Sequence, residues 1–309
     1  MITFGVHAGL QATTFRELVA VWQQVERLGF DWISVWDHFY AADASGRADC
    51  LEAVSMHAAL ACNTTRVRCG CLVYSVGYRH PAVLANAIAT IDQLSNGRAD
   101  IGLGAGWHQV EYDAYGIPFP PAGVRLDQLD EAAQCVRDLL HKGVVDFEGR
   151  YFQLRNARCE PRPVQQKLPV WIGGGGERKT LRSVARWADG WNVPFVSPDE
   201  FARKRQVLHR HCEEVERNPA EIRCAVNVAL AWRDEDLVEQ FDGLAEFFRP
   251  AALTGSDEEV KDKVGRYVDA GADQLNIALR APFHADALER AASAIGVEPA
   301  GSADRLSGL

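Results

Sequence analysis

Short apolar runs alternate with helical apolar stripes along almost the whole chain, and that alternation predicts a parallel α/β architecture. ITFGVHAG, starting at Ile2, reads as the first strand. Thr14 then opens a helix through a capping box with Glu17, and Phe15, Leu18, Val19, Trp22, Val25 and Leu28 recur at helical spacing. Gly29 ends it. FDWISVWDH predicts a second strand, Leu51 to Ala61 a second helix and VRCGCLVYS a third strand. A third stripe, Val83, Leu84, Ala87, Ile88, Ile91 and Leu94, stops at Asn96-Gly97. ADIGLGAG, PVWIGG, GWNVP, RCAVNVALAW and DQLNIAL bring the strands to eight.

A weak internal echo supports a repeated βα unit. RLGFDWISVW and DAGADQLNIA both run from a helix end through Gly, an apolar residue and Asp into a strand. Ser197 with Glu200 and Ser256 with Glu259 predict further helix starts, the first with Pro198 at the opening helical position. Two segments break the rhythm. Asp146 to Pro169 has strand-like alternation, a Gly-Arg turn and three prolines, which predicts an inserted hairpin and loop. Glu111 to Pro121 is irregular and aromatic, and is expected to fold over a site like a lid. The expectation is one (β/α)8 barrel domain over residues 1–297, interrupted at about 107–123 and 144–168, with a frayed tail at 298–309.

Composition narrows the partners. With 309 residues, 47% hydrophobic and 24% charged, the chain has material for a large core, and no apolar run reaches the roughly 18 residues of a membrane span. Nothing at the N-terminus resembles a signal peptide, so a cytoplasmic location is expected. The formal charge of -9 argues against nucleic acid or an anionic membrane as partner. Eight cysteines without a CxxC pair fit reduced, mostly buried thiols, and no metal site is expected at Cys69-x-Cys71.

Four stretches carry candidate chemistry. SVWDHFY, Ser34 to Tyr40, puts Asp37 and His38 at the C-terminal end of the second strand, where barrels build active sites. Histidine is the residue type suited to proton exchange, whereas the plain alternative is a loop-capping Asp beside a surface His. YSVGYRHP, Tyr74 to Pro81, ends the third strand with small and polar groups in a similar position. GLGAGW, Gly102 to Trp107, has G-x-G-x-G spacing at the fourth strand and no typical helix start behind it, which disfavours a dinucleotide. Its glycines let a strand end approach a flat ring, or form a tight turn with no ligand.

GGGGERKT, Gly173 to Thr180, looks like a P-loop, but Arg178 stands where a Walker sequence needs Gly. The ingredients of a single-phosphate site remain: glycine amides, a helix expected from about Glu177, and the cations Arg178 and Lys179. His209 and His211, two apart on a charged helix, read as solvated surface, and His57 and His284 carry no signal. No Gly-x-Ser-x-Gly elbow supports a serine hydrolase.

SVWDHF, LVYSVGYRHPAVLANAIATIDQLSNGRADIGLGAGWHQVEYDAYGIPF, PVWIGGGGERKTLRSVARWADGWN and GSDEEVKDKVGRYVDAGADQLNI, in this order, resemble the luciferase-like monooxygenase superfamily. The likeness is nearest to the branch that uses the deazaflavin coenzyme F420. It implies a TIM-like barrel with the cofactor ring at its C-terminal mouth and a non-prolyl cis peptide near Leu72-Val73 behind the ring. It further implies that Asp37 contacts the cofactor and that His38 lies beside the hydride-transferring carbon. Leu72, Val73, Ser75, Ala105 and Gly106 would meet the ring or ribityl chain, and Gly173, Gly174, Gly175, Gly176 and Arg178 the phosphate. Trp107 stands where sugar-phosphate dehydrogenases of this branch carry a glutamate, so Trp107, Tyr112 and Phe119 point to a more apolar small-molecule substrate. The expected function is hydride transfer between coenzyme F420 and a small organic substrate. The alternatives are an FMN-dependent monooxygenase, a catalytically silent flavin-binding barrel, and an unrelated barrel lyase or isomerase. Dimerisation is common in the superfamily, but no interface signal is legible in the chain, so a homodimer stays an open expectation.

Overall fold

The computed structural model describes residues 2–41 and 49–299. The chain runs β1 (Thr3–Ala8), α1 (Phe15–Leu28), β2 (Trp32–Val35), α2 (Ala53–Asn63), β3 (Arg68–Ser75), α3 (Pro81–Ser95), β4 (Ala99–Gly104), α4 (Gln109–Tyr115) and α5 (Ala122–His141). A hairpin follows, β5 (Val144–Glu148) and β6 (Gln153–Arg158), then β7 (Val170–Gly173), α6 (Thr180–Trp187), β8 (Gly190–Pro194), α7 (Pro198–Glu214) and β9 (Arg223–Ala229). The last elements are α8 (Asp234–Phe241), α9 (Ala245–Phe248), α10 (Asp257–Asp269), β10 (Gln274–Leu279) and α11 (Ala285–Ile295). All strands but β5 and β6 close into a parallel barrel in the order β1-β10-β9-β8-β7-β4-β3-β2, so the eight expected strands form one sheet without an edge.

Local chemistry sets the boundaries. The Thr14–Glu17 and Ser256–Glu259 capping boxes form, and Gly29 takes the left-handed conformation that closes α1. The helix-to-strand turns that end in Asp, two of them Gly-x-Asp, have a shared purpose. Asp31 accepts from the Phe4 amide, Asp189 from that of Val170 and Asp273 from that of Cys224. Each aspartate thus ties the start of its own strand to the start of the neighbouring one, which repeats a single βα design around the barrel.

The barrel interior is filled at its lower end. Trp32 on β2 and Trp171 on β7 stand 6.0 Å apart although β3 and β4 separate their strands, so they meet across the lumen. Above them Asn276 donates to Asn227 and Asn192, and Gln274 donates to Asn276, an amide chain buried within the barrel. Space remains only above this layer, at the C-terminal ends of the strands.

Two expectations are corrected and one unpredicted stretch is filled in. The segment expected to be irregular from Glu111 contains α4, whose buried residues are Glu111 and Tyr112; a helix this short, held by a carboxylate, shows no apolar stripe. The helix expected from about Glu177 starts at Thr180, after a turn over 177–179. The stretch between β9 and α10, which carried no prediction, folds into α8, α9 and two 3-10 turns around Phe241 and Phe248. Residues 300–309 of the tail lie outside the described residues. Among the described residues no helix is long and apolar enough to cross a membrane.

Candidate active site

The strand ends surround a cavity of about 610 Å³. Of the predicted site residues, Asp37, His38, Leu72, Val73, Ser75, Ala105, Gly106, Trp107, Gly173 and Gly174 line it together. Gly175, Gly176, Arg178 and Tyr112 are not on its wall. Tyr112 is fully buried behind Gly106 with its hydroxyl bonded to Ser75 Oγ, so its place is that of a support and not of a substrate contact. The Leu72–Val73 peptide is cis, at the point where the β3–β4 register shifts.

Two buried carboxylates organise one side. Asp37 Oδ2 accepts from the Ser75 amide at 2.9 Å, and Arg79 grips both carboxylate oxygens at 2.7 and 3.0 Å while reaching Glu52 at 2.6 Å. Burial pushes the Asp37 carboxyl up; Arg79 opposes it through charge and two hydrogen bonds. On Arg79, burial works against the charge, but Asp37 and Glu52 more than offset it and raise its pKa. The bidentate geometry favours the ion pair, a carboxylate held rigid by a planar fork.

Glu111, on α4, is the second. Its Oε1 accepts from the Phe39 and Tyr40 amides at 2.6 and 2.8 Å, and its Oε2 accepts from the Tyr78 hydroxyl and pairs with His38 Nδ1 at 2.9 Å. Burial disfavours its charge, yet the bonds from His38, Tyr40 and Tyr78 prevail and lower its pKa to about 2. Against that carboxylate, Nδ1 of His38 is the protonated nitrogen, and Nε2 is the ring nitrogen not engaged by Glu111.

His38 Nδ1, His108 Nδ1 and a Glu111 oxygen lie within 4.8 Å of one another, a spacing that a metal ion tolerates. The Glu111 oxygens already have four donors, which a cation would have to displace, so the cluster reads as a hydrogen-bond hub. Trp107 stacks on His108 at 5.0 Å and meets the His38 ring edge-on at 5.4 Å. At the floor His7 pairs with Ser34 at 2.7 Å; burial first, then Arg280 and His38, lower its pKa to about 3 and keep it neutral.

Opposite the histidines lies the glycine-rich turn. A Cβ on Gly173 or Gly104 would collide with Val73, so only glycine lets the Val73 side chain pack on both strand ends. Gly174 has φ +120°, a conformation that other residues rarely adopt. Helix α6 has no side-chain cap, and among the described residues nothing accepts from the Gly175 or Gly176 amides. Arg178 is exposed, while Lys179 is committed to Asp127 and the Gly123 carbonyl. Lys204 donates to the Gly175 carbonyl at 2.9 Å, and His211, expected to be solvated, donates Nε2–H to the Glu177 carbonyl at 2.7 Å. The turn is therefore braced from α7, with its amides open to an anion.

Residues 1–250 match the family model described as luciferase-like monooxygenase. The chain belongs to that family. It is 34% identical over 177 residues to the F420-dependent glucose-6-phosphate dehydrogenase of Amycolatopsis mediterranei (strain U-32), covering 57% of this chain and 53% of that protein. The chain spans about half the length of the curated relatives it matches. A solved F420-dependent secondary alcohol dehydrogenase, in complex with an F420-acetone adduct, superposes with a TM-score of 0.83 at 19% identity, over 95% of this chain and 99% of that one. The oxygenating constituent of 3,6-diketocamphane monooxygenase from the CAM plasmid of Pseudomonas putida, in complex with FMN, gives 0.74 at 17% identity over 97% and 98%. At such identities these two concern the fold: the barrel is that of the luciferase-like family.

The sequence pattern missed several residues of this luciferase-like barrel that shape the site. Glu111 was read as lid, although an acid four residues beyond Trp107 in an otherwise aromatic stretch was a usable signal. Arg79 was passed over as a generic polar group. His7, Asn192 and Asn227 lie inside strands whose apolar neighbours drew the attention, and Phe195, Leu244, Phe247 and Phe248 fell between predicted elements.

Proposed function

We propose that this protein is an oxidoreductase that transfers a hydride between coenzyme F420 and a small organic substrate, with His38 as the residue that moves the accompanying proton. One observation carries the reading. A histidine whose Nδ1 is fixed by a buried carboxylate faces the same cavity as a wall almost free of side chains, where the Gly104 and Gly173 strand ends lie against the Leu72–Val73 bulge. A flat tricyclic ring suits such a wall, and a phosphate suits the open amides beyond Gly174.

The deazaflavin, when bound, supplies or accepts the hydride. Asp37, clamped by Arg79, holds the Ser75 amide and with it the end of β3, against which the ring would lie. Glu111 holds His38 in one tautomer and one orientation. Nε2 then gives a proton to the oxygen of a carbonyl that gains hydride, or takes it from the alcohol in the reverse direction. The mostly apolar walls exclude water from the reacting pair.

FMN would use the same cavity. The relative named for F420 among curated proteins, alike in sequence and not only in fold, supports the deazaflavin. Transfer of deuterium from labelled reduced F420 to a ketone carbon tests the reading. A labelled alcohol that appears with the wild type and is lost with His38→Ala is the expected result; no transfer to any carbonyl or activated alkene would retire it.

A further inference from the structure

The cavity's second wall comes from the insertion between β9 and α10. Leu244 and Phe247 face the cavity from there, beside Phe248 and Phe195. The rings form one cluster around Phe248, which stacks on Phe241 at 4.0 Å and is met edge-on by Phe195 at 4.1 Å and Phe247 at 5.4 Å. Phe247 is nevertheless 60% exposed at the open side of the cavity, where an unoccupied aromatic ring is unfavourable. Arg280, the only lining cation besides the histidines among the described residues, lies 5.0 Å from the Trp36 and Phe241 ring centres and 5.3 Å from that of Phe248. It is 5% exposed. The wall therefore presents hydrocarbon, and its one guanidinium is sandwiched among aromatic faces.

Below this wall the strands β8 and β9 contribute neutral polar groups. Asn192 and Asn227 line the cavity while their carbonyl oxygens accept from Asn276, which leaves their amide N–H groups as uncharged donors. Across the mouth from the insertion stands Trp107, itself 62% exposed. A guest between these surfaces meets aromatic faces along its length and neutral hydrogen bonds at its inner end.

We propose that the α8–α9 insertion makes this site selective for an uncharged ketone, or the matching secondary alcohol, that carries an extended apolar chain. The reacting carbon sits at His38, beside Trp107, and the chain runs across the cavity along Phe195, Leu244 and Phe247. A sugar phosphate is a poor guest, because its hydroxyls would be stripped of water against Phe247 and Phe248. The proposal rests on the hydride-transfer reading for the chemistry of the reacting end, but not for the character of the wall.

The test is calorimetric titration of the full-length protein with 2-butanone, 2-pentanone, 2-hexanone and 2-octanone, with and without F420, and with glucose 6-phosphate. F420 affinity is measured on the same preparation. Each added methylene should tighten Kd about 3- to 4-fold until the chain reaches the mouth. Phe247→Ser, at an exposed position where folding is not at stake, should flatten that increment beyond the first carbons and leave F420 affinity and melting temperature unchanged. A flat ketone series, or tighter binding of glucose 6-phosphate than of 2-octanone, overturns the proposal whether or not F420 binds. Failure of F420 to bind beside a steep series instead removes the cofactor reading and leaves the wall's selectivity supported.

Discussion

The rim over β2, β3 and β4 and the rim over β8, β9 and β10 face each other across one cavity and are built on opposite principles. The first is a network of charges: Asp37 with Arg79, and Glu111 with His38, Tyr78 and two backbone amides, all at bonding distance. The second is a cluster of rings, Phe241 stacked on Phe248 and Phe195 edge-on to it, held by broad apolar contact. Directional bonds fix one atom in one place, which suits proton transfer. Ring surfaces accept any shape of similar polarity, which suits the choice of substrate.

The comparison can be broken at its strongest point first. His38→Ala should lower turnover by about 10²- to 10⁴-fold, with F420 affinity little changed. Equal loss of both would reassign His38 to cofactor binding. Glu111→Gln should cost less, on the order of 10²-fold in turnover, since it loosens the histidine without removing it. Because the Gln carbonyl would keep the Phe39 and Tyr40 amides while its NH2 confronts the His38 and Tyr78 donors, the variant should also melt earlier, by about 1–3 kcal/mol of stability. A positioning role further requires that the pH profile of turnover change shape in Glu111→Gln and recover in part in Glu111→Asp.

On the glycine turn, Gly174→Asp should weaken F420 at least about 10-fold. It adds roughly 1–2 kcal/mol of backbone strain at φ +120° and sets a carboxylate beside the anion site. Unchanged affinity would move the phosphate elsewhere. The smallest effect is on stability against acid. Burial lowers His57 from 6.5 to about 4 and His7 from 6.5 to about 3, so the unfolded chain binds their protons before the folded one does. Stability from these two is complete above pH 6.5 and falls as pH drops through the window toward 4 and 3. Melting temperatures between about pH 7.5 and pH 5 should show that decline, and His57→Gln should make it shallower.

The barrel was legible because each strand is a short apolar run and each capped helix carries a stripe, signals that lie within one element. The resemblance placed Asp37, His38 and Gly174 on one cavity because it rests on several motifs in order. What escaped depends on contacts between distant residues. Glu111 acts through His38, 73 positions away, and Arg79 through Asp37, 42 away, and no local period records such a pair. The insertion from Asp234 to Ala251 escaped because its helices are one or two turns long and its rings, Phe241 and Phe248, gain meaning only when packed edge-on against Phe195. Tyr112 shows the converse error: an aromatic residue near a predicted site was taken to face a ligand, when it supports Ser75 from behind.

The most direct test of the account is a side-by-side fluorescence titration of the purified protein with coenzyme F420 and with FMN. Saturable F420 binding, weakened by Gly174→Asp and kept by His38→Ala, is the predicted result. Binding of FMN alone, or of neither, would contradict it.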